Sequence, residues 1–421
     1  MVETQHEVIR RIVTDLGIWG EGREMSHKFI LSPEVYPFTE DEYSQLKTIG
    51  QSLYVVMQGM SQIVAFSEDQ RIAKGRVWDI IRRVTKIGIP RYHRRLQVQF
   101  PEQYPILFKV DMLRSEGKFW IVELDGVNTH GFGYTVLLNS IRDALTSRAS
   151  RRLTGIAATI VRHMREHWRE EELFCFVSGN SRFYDPYYRL LMRELEHSGI
   201  STTYCGEWWA EHGEKLKEWH HVALQFPIFR GGSDLQKIFT ERCEHGDLVF
   251  LIPPKTFMGS KAVFALLKNS VGDENVEAVL RQYIGGDSLD TLRSFMPATY
   301  LVYPEGERAV TNALREREGV NWVLKQAISS GMKGTKLSLN IAPDAFPYWQ
   351  PHQTILQEEL ENDPLALTFY DEEGNMRIGT WFARFTAHFH FDELADMDVT
   401  ARQDKLVHGA SDCLMFGATL P

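Results

Sequence analysis

Asp111, Glu123 and Asp125 fall in one stretch, ILFKVDMLRSEGKFWIVELDGVNTHGFG over residues 106–133, whose pattern gathers them into one place. Residues 106–113 and 119–124 are rich in β-branched and aromatic side chains, and the Arg-Ser-Glu-Gly-Lys between them holds the glycine that a short hairpin turn needs. With the turn centred near Gly117, Asp111 is predicted to lie directly across from Glu123. Side chains two apart on a strand share a face, and opposed residues have Cβ atoms about 5 Å apart, so all three carboxylates are expected to project the same way. Such a group repels itself unless a cation sits among it. A hard, oxygen-liganded ion such as Mg2+, completed by substrate phosphates, is the natural occupant. A solvated hairpin edge with scattered acids is the other reading of the same spacing.

Phosphate chemistry needs cations as well. Lys325 ends the strand-like NWVLKQ and precedes a loop with Gly331 and Gly334. There, loop N–H groups can cradle phosphate oxygens while the ammonium neutralises charge, although an ordinary basic hairpin has the same pattern. Lys261 follows Gly259 at the start of an apolar helix, a position from which a lysine can reach a phosphate. His388 and His390 share a face of a strand expected over 376–391, and packing is the expected role because no third zinc ligand of suitable spacing accompanies them. No GxSxG elbow and no GxGxxG after a first strand is present, so nucleophilic-serine and dinucleotide chemistry are unsupported.

The elements that must position these residues follow from pattern. The 421 residues, with 43% hydrophobic and 12% aromatic content, suffice for two or three domains. A net charge of -9 gives no broad footprint for nucleic acid or an anionic membrane, and the basic runs over 91–95 and 148–152 read as solvated helix ends. Four cysteines without CxxC spacing, no signal-like N-terminal run and no membrane-length apolar window lead to the expectation of a cytoplasmic protein. Residues 1–100 read as a helical region, a packing appendage or lid. Residues 101–170 hold the carboxylate hairpin, a glycine loop and two helices. Residues 171–255 alternate strand and helix as a small α/β substrate domain, in which Arg230 ends a strand. Residues 256–421 hold the lysines, a polar segment over 285–319 and further strands, including one over 354–360 that contains Gln357, Glu358, Glu359 and Leu360.

As a set these residues resemble the circularly permuted ATP-grasp superfamily, close to the glutathionylspermidine synthetase type, over roughly 105–415. Its Arg-Phe-Asp and Glu-x-Asn strands are similar to Lys109-Val110-Asp111 and Glu123-Leu124-Asp125, with the twelve-residue interval between the first two acids kept. Lys109 stands where arginine is usual, and Asp125 where asparagine is usual, which leaves Asn128 a rival third ligand. Lys261 and Lys325 resemble the ATP-binding lysines, 357–360 the adenine hinge, and Ile378-Gly379-Thr380-Trp381 with Arg384 the segment that returns to the active site. The hairpin precedes the α/β domain, the order of the permuted form. The resemblance implies an α+β or α/β protein with an ATP-grasp fold, a pre-ATP-grasp domain over 171–255 and ATP and Mg2+ as cofactors. It also implies a carboxylate–amine ligase acting on small molecules through an acyl phosphate, with release of ADP. Lys109, Arg384 and Arg230 are then the candidate catalytic cations, the two arginines for the acyl phosphate or an acceptor carboxylate. A binding-only regulatory module and a kinase acting on a hydroxyl are the alternatives.

Overall fold

The computed structural model describes residues 3–18, 29–89, 94, 97–98, 104–127, 131–146, 152–168, 174–178, 184–205, 221–223, 241, 245, 248–328, 335–341, 354–409 and 412–421. The protein is a mixed α/β structure. Helix α1 (Gln5–Asp15) and the long α2 (Glu40–Glu68) each begin with a reciprocal cap. Thr4 with Glu7, and Thr39 with Glu42, satisfy two otherwise orphaned backbone donors apiece. Strand β1 (Tyr36–Pro37) lies between them and α3 (Arg76–Val84) follows. Leu46, Ile49 and Leu53 of α2 are fully buried, and at Gly50 a Cβ would collide with Phe389 and the Asp392 carbonyl. This region is therefore a buried support and not the lid that its helical pattern allowed. Truncating one of these leucines to alanine costs about 2–5 kcal/mol.

Strands β2 (Leu107–Ser115) and β3 (Lys118–Asp125) form the expected hairpin, turned by Glu116 and Gly117, both at positive φ. Helices α4 (Phe132–Leu145) and α5 (Ile156–His167) come next, then β4 (Phe174–Ser178), α6 (Asp185–His197), β5 (Ser201–Cys205), β6 (His221–Ala223) and β7 (Leu248–Phe250). Those four strands pair in parallel in the order β5-β4-β6-β7, the α/β unit read from the alternation.

Beyond them lie α7 (Lys261–Asn269), α8 (Glu274–Ile284), α9 (Gly286–Ser294), β8 (Thr299–Val302), α10 (Glu307–Glu316), β9 (Trp322–Gln326), β10 (Lys336–Leu339) and β11 (Thr354–Glu358). The segment 285–319, read as merely polar, thus holds two helices and a strand. Leu289 with Leu292, and Val310 with Ala313 and Leu314, bury one face of each helix at the right spacing. Strands β8–β11 make a four-stranded sheet in the order β10-β9-β11-β8.

The last strands are β12 (Pro364–Tyr370), β13 (Met376–His390), β14 (Glu393–Arg402) and β15 (Leu414–Thr419). With the hairpin they form a seven-stranded sheet, β1-β15-β14-β13-β2-β3, and β12 pairs with the first half of β13. The carboxylate hairpin and the C-terminal strands are therefore one sheet, although distant segments contribute them.

Candidate active site

Register sets out the site in three rows across the seven-stranded sheet. Asp398 of β14, Thr386 of β13, Asp111 of β2 and Glu123 of β3 are successive Cα partners. A second row runs Asp396, His388, Lys109 and Asp125, and a third runs Thr400, Arg384 and Leu113. Because strands alternate faces every second residue, a two-residue step moves from one row to the next without leaving the face.

Simple alternation would have failed for Glu123. Phe119 and Ile121 of β3 point into the core, and an unbroken strand would send residue 123 after them. The ladder passes from Asp111↔Glu123 to Met112↔Ile121, so β3 carries a bulge at Val122 that reverses the parity. Glu123 and Asp125 thereby face the same side as Asp111, and the Val122 carbonyl accepts a hydrogen bond from Lys325 Nζ at 3.2 Å. Bulges beside active sites re-aim side chains in this way.

Over this face lies a cavity of about 480 Å3, lined by Lys109, Asp111, Glu123, Asp125, Lys261, Lys325, Arg384 and the strand end Gln357, Glu358, Glu359 and Leu360. Lys261, the first residue of α7, reaches Glu123 Oε1 at 2.7 Å. Lys109 sits 3.6 Å from Asp125, and Arg384 sits 3.5 Å from Asp111, which also accepts from Thr386 Oγ1 at 2.7 Å. Lys325 donates to Gln357 Oε1 at 2.6 Å, and Gln357 in turn donates to Thr299 Oγ1. Gln357 therefore orients Lys325, a role the hinge reading did not include.

Burial and charge compete at each group. Burial pulls the Lys325 ammonium down to about 8, with Glu123 opposing and Lys261 reinforcing the shift. Burial also works against the Lys109 ammonium, but Asp125 and Asp111 outweigh it and the pKa rises. Arg384 is raised too, Asp111 and Asp398 prevailing over burial. Asp111 is lowered because Arg384, Lys109 and Thr386 overcome its burial. Asp125 is raised: burial, with repulsion from Glu123 and Asp111, exceeds the attraction of Lys109.

Among the described residues no three His, Cys, Asp or Glu side chains converge as they would around an ion, because each carboxylate of the hairpin is turned toward a cation. The donor set still suits Mg2+, which is commonly held by one or two carboxylates with waters and phosphates completing the shell. Asp111 and Glu123, directly opposed, supply such a pair. Asp125 lies one step along the face, paired to Lys109. Asn128, Arg230, Gly331 and Gly334 lie outside the described residues.

The side chains of Glu358 and Glu359 at this strand end are tied to other residues. Glu358 takes a bidentate pair from Arg317, and Glu359 accepts from the Ser338 amide and hydroxyl. The Glu358 and Glu359 amides donate to the Ala298 and Asn321 carbonyls. His390 is buried against His163 and His388 against Asp398.

Thr386, Asp398 and Thr400 belong to this face and were not anticipated. The signal for them was present, since polar residues recur at every second position of both β13 (Arg384, Thr386, His388) and β14 (Asp396, Asp398, Thr400). Gly131, at the start of α4, is held at φ 107°, where a Cβ would stand 3.4 Å from His388 and 3.7 Å from Asp398. Those are ordinary contacts, and it is the positive φ that calls for glycine at this position.

No protein-family profile matches the chain, and no curated protein does. Among solved structures it is similar to a protein from Methylobacillus flagellatus KT provisionally described as a gamma-glutamylcysteine synthetase, with 10% identity and a TM-score of 0.32 over 77% of this chain and 83% of that one. A likeness of that size assigns no activity, and the site is read from its own geometry.

Proposed function

We propose that the protein is an ATP-dependent carboxylate–amine ligase, using Mg2+, that joins two small molecules through an acyl phosphate and releases ADP and phosphate. One observation carries the reading: residues from five separate stretches, around 109–125, 261, 325, 357–360 and 384, line a single cavity. That cavity holds hard oxygen donors, five Lys or Arg side chains and a strand end. It is the inventory that polyphosphate transfer requires, and little covalent chemistry is asked of the protein.

In this reading the base lies against Val323, Leu337 and the 357–360 strand end, where the Leu360 amide makes no hydrogen bond among the described residues. Lys325 and Lys261 hold the phosphates, and Lys109 and Arg384 face the oxygens that gain charge. Asp111 and Glu123, with Asp125 or Asn128, would hold Mg2+, which offsets phosphate charge when bound. The substrate carboxylate attacks the γ-phosphorus and the bond to the ADP oxygen breaks. The amine nitrogen then attacks the acyl carbon, phosphate departs with the bonding pair, and the nitrogen gives up a proton. Holding these partners in line is the main contribution of the chain.

The test is a screen of carboxylates with MgATP and hydroxylamine. ADP release together with a hydroxamate is the expected result, because hydroxylamine captures an acyl phosphate even without the natural amine. ADP without hydroxamate would indicate a hydroxyl kinase. No ADP under any mixture would indicate a binding module, a reading favoured only by the Lys109–Asp125 pair, in which the two departures from the family pattern neutralise each other. AMP and pyrophosphate would sink the γ-phosphoryl mechanism altogether.

A further inference from the structure

Six carboxylates line the cavity, and four of them are matched by Lys or Arg. Asp125 has Lys109, Glu123 has Lys261, Asp111 has Arg384 and Glu358 has Arg317, while Glu359 accepts twice from Ser338. Asp398 differs. It is 3% exposed, its Oδ1 is fixed by His388 Nε2 at 2.7 Å, and among the described residues no Lys or Arg ion-pairs with it. It nevertheless lines the cavity, as do Tyr134, Tyr184 and Thr400. Thr400 is 1% exposed, and its Oγ1 has no hydrogen-bond partner among the described residues. The rings of Tyr134 and Tyr184 stand edge to face, 6.3 Å between centroids. A buried carboxylate with one oxygen committed, a waiting hydroxyl and two aromatic rings make a receptor for a compact cation, since carboxylates and π-faces both attract ammonium.

We infer that Asp398, Thr400, Tyr134 and Tyr184 form the subsite for the ammonium group of the acceptor amine. The inference rests on the ligase reading for the word acceptor, but the binding itself does not. Position agrees with the role. Asp398 lies two strands from Asp111 in the same row, with Thr386 between them, and strands are spaced about 4.8 Å apart. An amine held at Asp398 is therefore about one strand from the carboxyl group that would be activated over Thr386 and Arg384. At the rim, Lys405 also lines the cavity and has no ion-pair partner among the described residues, so an amine that carries its own carboxylate can be met at both ends.

Saturation-transfer NMR on the full chain with MgADP tests this, using n-butylammonium, glycine and neutral n-butanol as probes. Wild-type protein should bind n-butylammonium about tenfold or more tightly than n-butanol, the preference expected of a charge-assisted hydrogen bond, and Asp398→Asn should remove that preference. Tyr184→Leu, at a half-buried ring, should weaken n-butylammonium about threefold through loss of the cation–π contact. Comparing glycine with n-butylammonium separates amino acids from simple amines, and loss of either on Asp398→Asn supports the subsite. Equal binding of n-butylammonium and n-butanol to wild type would overturn it, a result that needs no variant to fold. So would unchanged n-butylammonium binding by folded Asp398→Asn. MgATP titrated into the wild type reports on the ligase reading separately: its failure to bind would remove that reading and leave the ammonium subsite standing.

Discussion

Glu123→Gln removes one charge from a cavity lined by six carboxylates and five Lys or Arg side chains. The Glu123 carboxylate lies 2.7 Å from Lys261 Nζ, and the Lys261 side chain is only 6% exposed while that of Glu123 is 31% exposed. The cost falls on the lysine, the more buried of the two side chains. A buried donor that loses its partner costs about 1–3 kcal/mol, and the glutamine carbonyl can still accept, so the low end, about 1–2 kcal/mol, is expected. The field of Glu123 also supports the Lys325 ammonium, so nucleotide affinity should fall as well. Carboxylate-dependent ADP release should drop about a hundredfold if Glu123 organises charge in the transition state. Urea unfolding of Glu123→Gln, Lys261→Met and the double variant closes a cycle whose coupling should be about 1–3 kcal/mol, with the double variant more stable than the sum of the singles. Restored stability without restored turnover is the signature of a pair that is structural when empty and functional when loaded. Wild-type stability and turnover in Glu123→Gln would refute both parts.

Lys325→Ala should weaken ATP binding. In the wild type the affinity should decline above pH 8, by up to about tenfold per unit, because the ammonium, pulled down by burial, is lost there; Gln357→Leu should move the decline to lower pH, as calorimetric titration would show. His163 and His390, buried against each other, are pulled by burial to about 3 and about 4, well below the ordinary 6.5. The unfolded chain then binds more protons than the folded one, so stability is full above pH 6.5 and is lost as pH falls toward 4. The loss is on the order of 2–3 kcal/mol per histidine, visible as a falling urea midpoint that His390→Phe flattens. Asp125→Ala and Asn128→Ala, compared by Mn2+ affinity in the presence of ADP, should identify the third ligand as the variant that loses more.

The hairpin was legible because its two signals, β-rich runs and a turn glycine, are local. Directly opposed Asp111 and Glu123 followed from counting back from Gly117. The bulge at Val122 was not legible. Phe-Trp-Ile-Val-Glu-Leu-Asp contains no glycine or proline to mark it, and the extra residue is specified by the need of Phe119 and Ile121 for the core together with the need of Glu123 for the cavity. Strands β14 and β15 were missed for a related reason. Asp396 and Asp398 argue for an exposed segment until their partners are known, and the Asn139 amide and His388 that satisfy them come from other elements. The helical character of residues 1–100 was legible, but the burial of α2 depended on tertiary contacts such as Phe389 against Gly50, which local periodicity does not report.

The sheet that carries the site has a consequence for how the chain is made. Strand β2 has β3 on one side from the outset, but its other neighbour is β13, and the Thr386–Asp111 contact spans 275 residues. As the polypeptide leaves the ribosome, the hairpin must wait with one row of backbone donors and acceptors open until nearly the whole chain has been synthesised. Long-range pairing of this kind is slow, and an open strand edge invites pairing with the wrong chain. This order of segments leaves the β2 edge unpaired in the nascent chain until β13 has been made.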